Sequence, residues 1–81
     1  MSKITKEQAE SFREIATSAI ASFIELGATK DEEEKLRKQV KMLTDSGMTS
    51  RDLEITIRTL ARDKDAPYQK QLLYVRKVLK L

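Results

Sequence analysis

Three arginines at helical spacing are the residues in this 81-residue sequence best suited to recognising a ligand. Wound as a helix, RDLEITIRTLAR (Arg51 to Arg62) puts Leu53, Ile57, Leu60 and Ala61 on one face. The opposite face reads Arg51, Ile55, Arg58, Arg62, in steps of four, three and four residues. A guanidinium is a planar fork of N–H donors that matches phosphate oxygens and the guanine edge, which a lysine ammonium does not. Ile55, between the arginines, could touch a thymine methyl or pack on a partner. Equally, Ile55 could cover a neighbouring helix while the arginines extend past it into water. The spacing alone supports both readings.

The charge around this stripe is uneven. Residues 1–34 hold four Lys/Arg against eight Asp/Glu, a balance of −4, whereas residues 35–81 hold twelve against five, a balance of +7. A basic half of this kind suits a polyanion or an acidic protein surface. Arg37, Lys38 and Lys41 lie largely away from the apolar positions Leu36, Val40 and Leu43. They close the run DEEEKLRKQVK, in which acids precede bases. That order opposes the helix dipole and gives the pairs Glu33–Arg37 and Glu34–Lys38, so it is also ordinary helix chemistry. Near the end of the chain Lys70, Leu73, Lys77 and Lys80 share a face, and no acid follows Asp65.

The composition argues against several classes of chemistry. Cysteine and histidine are absent, which removes thiolate chemistry, disulfides, the common zinc sites and the usual neutral-pH base. Glu32, Glu33 and Glu34 are adjacent, so on a helix they splay about 100° apart and do not converge on one metal ion. No glycine-rich phosphate loop occurs. An enzyme is not expected, nor a catalytic residue, a metal or another cofactor. No apolar run has the length of a membrane span, and MSKITKEQ lacks the apolar core of a signal peptide. The expectation is a cytoplasmic protein with no membrane partner.

Positioning the basic side chains falls to four helices. TKEQ (Thr5 to Gln8) is a capping box opening a helix to about Leu26, with Gly27 placed for a left-handed turn. TKDE (Thr29 to Glu32) repeats the box and opens a second helix, to about Ser46 before Gly47. TSRD opens a third, capped by Thr49 or Ser50, and Asp65-Ala66-Pro67 separates it from a fourth. Apolar stripes follow the helical period: Ala9, Phe12, Ala16, Ala19, Ile20 and Phe23, with Ile15 and Leu26 at the edge, then Leu36, Val40 and Leu43. Tyr68, Leu72, Val75 and Leu79 continue the pattern in the fourth helix. The expected fold is all-α: one domain, residues 1–81, with four helices joined by connections of about three residues. Val40 to Ala61 resembles a helix-turn-helix, with Met42, Met48 and Leu53 at apolar positions, although Leu43, Ser46 and Thr56 depart from that pattern. A chain this short gains from pairing, and Leu73, Tyr74, Val78 and Leu81 form the expected seam of a homodimer.

Residues 33–81 resemble the small double-stranded-DNA-binding transcriptional regulators of T-even-like phages. The likeness lies in a charged helix entering a glycine turn at Gly47, then Met48, a capped helix with Leu53 and Ile57–Arg58–Thr59, and a closing amphipathic helix ending VRKVLKL. It implies a phage protein acting on DNA in the bacterial host cytoplasm, with contacts around the glycine turn and the third helix. Residues and resemblance together give the expectation of a homodimer that binds double-stranded DNA. The contacts would come from Arg51, Arg58 and Arg62, supported by Arg37, Lys38, Lys41, Lys70 and Lys77. The alternative is a small helical adaptor or inhibitor whose basic face docks on an acidic host protein.

Overall fold

Each helix begins at a side-chain cap and, where glycine follows, ends in a left-handed turn. The computed structural model describes residues 4–81, which form α1 (Lys6–Glu25), α2 (Lys30–Asp45), α3 (Ser50–Arg62) and α4 (Ala66–Leu79). Thr5 and Gln8 form the expected reciprocal box at α1. At α3 the cap is Thr49, whose hydroxyl accepts from the Asp52 N–H while the Asp52 carboxylate accepts from the Thr49 N–H. At α2 only half the box forms: the Thr29 hydroxyl accepts from the Glu32 N–H, but the Glu32 carboxylate turns to the Lys35 ammonium at 3.3 Å. Asp65 caps α4, with proline in its first turn, where no intrahelical donor is needed.

The two glycine turns share one hydrogen-bond pattern. The N–H of Ala28 donates to the carbonyl of Phe23, and that of Met48 to the carbonyl of Leu43, each at 3.0 Å. Gly27 and Gly47 donate to Ile24 and Thr44, completing the paired bonds that close a helix C-terminus. Gly47 has φ of +120°, and a Cβ built there would lie 2.7 Å from Cγ2 of Ile4. Gly47→Ala is therefore expected to lose about 1–3 kcal/mol of stability. Urea unfolding reads this directly, and an unchanged midpoint would refute it.

α1 packs along both α2 and α3, and α4 packs against those same two helices. α1 also meets α4 where Phe23 and Tyr74 stack. The core is built from Ala16, Ala19, Ile20 and Phe23, from Leu36, Val40 and Leu43, and from Met48, Leu53, Ile57, Leu72, Val75 and Val78. Thr56 is buried among them, and its hydroxyl donates to the Asp52 carbonyl at 2.9 Å, so the polar atom is satisfied within its own helix.

Two apolar side chains depart from expectation. Ile15 and Leu26 lie open at the edge of the α1 stripe, where the spacing puts them, but Met42 is 69% exposed instead of supporting the glycine turn. Val78 moves the other way. It is buried, because α4 is wedged against two helices and covers a wider arc than a single stripe. No helix among the described residues is long and apolar enough to cross a membrane.

Candidate nucleic-acid interface

The arginine face of α3 is open to solvent. Arg51, Arg58 and Arg62 are exposed, and Ile55 among them is partly uncovered. The stripe lies on the side of α3 that looks toward α4. Arg51 and Arg58, with Ile55 and Glu54, line an open depression of about 640 Å³ completed by Arg76 of α4. Arg62 continues the stripe one turn further along.

Arg76 is the residue that the sequence did not single out. Its guanidinium is clamped on Glu54 by two hydrogen bonds, that from Nη2 to Oε2 at 3.0 Å, and Nε of Arg58 lies 3.7 Å from the same carboxylate. No local pattern could have paired Glu54 with Arg76, because they are 22 residues apart and on different helices. Glu54 has two consequences. It ties α3 to α4 through a fork-to-fork pair, and it places one negative charge among three guanidiniums.

The remaining basic candidates fall into two groups. On α4, Lys70 and Lys77 are exposed, and two helical turns of separation put them on one ridge. That ridge is next to Leu73, which with Arg76 borders α3, so Lys70 and Lys77 extend the same basic face. Arg37, Lys38 and Lys41 lie on α2, beyond the other flank of α4. Arg37 is engaged by Glu33 at 3.0 Å and Lys41 by Asp45 at 3.5 Å, while Lys38 makes no ion pair among the described residues. The structure therefore joins Arg51 and Arg58 to Arg76, leaves Arg62, Lys70 and Lys77 exposed on the same two helices, and sets the α2 cations apart.

The expected α4 seam is reduced in the same way. Val78 is in the core, and Tyr74 stacks on Phe23 at 6.3 Å between ring centroids while donating to Glu33 at 2.8 Å. Of the four seam residues only Leu73 and Leu81 remain uncommitted.

Along α1 the surface has the opposite sign. Glu7, Glu14 and Glu25 lie on the outer ridge of α1. Glu10 and Glu14 border a hollow between α1 and α3 that is also lined by Arg13, Thr17, Ser18, Thr56 and Thr59. Arg13 spans from α1 to Asp52 at 3.2 Å.

Three carboxylates have lowered pKa values through these contacts. Tyr74 and then Arg37 hold Glu33 down by hydrogen bonds that outweigh partial burial. For Asp52 burial pushes upward, but Thr49 and Arg13 together outweigh it. The Arg76 hydrogen bond is the main cause at Glu54. Groups with depressed folded-state pKa values stabilise the fold above their unfolded values, about 4, and lose that contribution as pH falls through the folded values. Melting temperature is accordingly expected to drop as pH falls below about 4. Asp52→Asn should flatten part of that drop, and a pH profile identical to wild type would exclude Asp52 as a contributor.

Among the described residues no group of three or more Asp and Glu side chains is arranged to hold a metal ion. Comparisons with models of known families, with curated proteins and with solved structures identify no match to this chain.

Proposed function

We propose that this chain is a non-enzymatic, cytoplasmic double-stranded-DNA-binding protein that acts as a phage transcriptional regulator. The observation that supports it is the exposure of Arg51, Arg58 and Arg62 on α3 with Lys70 and Lys77 on α4, while Glu7, Glu14 and Glu25 lie on the outer ridge of α1. Such a charge dipole orients the basic face toward a polyanion and keeps the acidic face away from it. Exposed guanidiniums and ammoniums at this spacing suit phosphate contacts, which position a protein on duplex without specifying sequence. Ile55, uncovered amid the arginines, is placed to add an apolar contact with a base edge.

A homodimer belongs to the same proposal, because pairing doubles the number of phosphate contacts. With Val78 and Tyr74 occupied inside the protomer, its seam is assigned to the apolar side chains away from the basic face: Ile15, Leu26 and Met42. The test is a titration of length-matched duplex and single-stranded DNA at low salt, with sedimentation of the free protein alongside. Duplex binding by a species of twice 9.3 kDa is the expected result. Absence of duplex binding would overturn the reading, and a monomer that binds duplex would overturn only the seam.

A further inference from the structure

The face that carries the basic residues also holds an apolar groove that phosphate cannot use. Between α3 and α4 the side chains of Ile57, Ala61, Leu72 and Leu73 line a hollow of about 200 Å³, with Arg58 and Arg76 on its lips and Gln69 at its end. At about 30 Å³ per water in the liquid, the hollow has room for one large side chain and not for a row of them. Leu73, on its rim, is 64% exposed. Two cations, Arg58 and Arg76, line this rim, and Arg62, Lys70 and Lys77 are exposed on neighbouring turns of the same two helices. Glu54 is already engaged by both Arg58 and Arg76.

We propose that this groove is a docking site for a protein partner presenting an acidic amphipathic helix with one large apolar anchor. The anchor fills the hollow, and carboxylates one turn to either side of it meet Arg58 and the outlying Arg62, Lys70 and Lys77. The charge of the rim selects an acidic partner. The apolar floor separates a protein from a nucleic acid, because a phosphodiester backbone gains nothing from Ile57, Ala61 and Leu72. A second copy of this chain fits less well. The exposed apolar residues on or next to its acidic helix α1, Ile15 and Leu26, are those assigned above to a seam away from the basic face, and the outer ridge of Glu7, Glu14 and Glu25 carries no large apolar side chain to serve as anchor. The proposal does not depend on duplex binding, since it uses the floor of the groove as well as the rim.

The probe is a synthetic peptide of Glu, Gln and Ala with one central Leu, about 16 residues long so that it can be helical. It is titrated into the full-length protein by NMR, alongside the same peptide with Leu replaced by Ala. The expected result is shifts centred on the amides of Ile57, Ala61, Leu72 and Leu73, and affinity at least about tenfold higher for the Leu peptide. Leu73→Ser, at an exposed position, should weaken Leu-peptide binding about tenfold while leaving helicity unchanged. Ala61→Phe, which fills the hollow from its floor, should block the site independently. Equal affinity for the two peptides, or shifts confined to other surfaces, would overturn the proposal. Self-association that Leu73→Ser abolishes would also overturn it, by assigning the groove to a second copy.

Discussion

Duplex affinity is expected to fall by about 10²–10⁴-fold when monovalent salt is raised fourfold from a low starting value. Each phosphate neutralised by Lys or Arg releases condensed counterions, which gives a log–log slope of about −0.9 per contact on duplex DNA. A dimer making roughly four to eight such contacts produces a drop of that size. The structure identifies the side chains free to make them. Arg51, Arg62, Lys70 and Lys77 have no ion-pair partner among the described residues, and Arg58 has only the loose 3.7 Å approach to Glu54. Arg76, clamped on Glu54, and Arg37, held by Glu33, must break a contact first and should contribute less. Removing one free cation, as in Arg62→Ala, should lower the magnitude of the slope by about one for each protomer in contact. A flat salt response would remove phosphate recognition from the reading and leave the acidic-protein partner as its replacement.

Ile57→Ala and the paired change Arg58→Ala with Arg62→Ala should separate stability from binding. Ile57 is 2% exposed, among Leu53, Leu72 and Val75, and truncating it opens a cavity that costs about 2–5 kcal/mol. In a domain of this size that is a large share of total stability, so the variant should melt far below wild type or be partly unfolded. The arginines are exposed to solvent on the same helix. Alanine there has the better helix propensity, and loss of the weak Arg58–Glu54 approach matters little, so stability should change by no more than about 0.5 kcal/mol. Duplex affinity should nevertheless fall by about 1–3 kcal/mol for an arginine at a base edge, and by a sequence-independent amount for one at phosphate. Unfolding of the arginine variants would show that the stripe is structural. Wild-type affinity in a folded variant would show that it is only a solvated surface.

Secondary structure is almost wholly local here, which is why it could be read from the chain. Thr5, Thr29, Thr49 and Asp65 each accept a hydrogen bond from a backbone N–H three residues on, and Gly27 and Gly47 close their turns through bonds within the same helix end. The inward faces of α1, α2 and α3 follow from the 3.6-residue period for the same reason. Where one helix borders two others, period alone is insufficient. Val78 lies to one side of the α4 stripe and becomes core only because α2 and α3 both lean on that helix. Met42 and Leu26 show the converse, since apolar character without a neighbour opposite does not bury a side chain.

By itself the sequence determined an all-helical chain of four elements, their caps and turns, and the outward arginine row of α3. Each of these is set by residues within a few positions of one another. Only the tertiary structure decided what stands beside that row. Arg76 joins Arg51 and Arg58 around Glu54 because the chain reverses between Arg62 and Ala66 and lays α4 against α3. The same reversal forms the apolar groove and sets Lys70 and Lys77 on the helix beside the arginine face. Charge and period fix the direction in which a side chain leaves its helix, but which side chain meets it from another helix depends on how the helices pack.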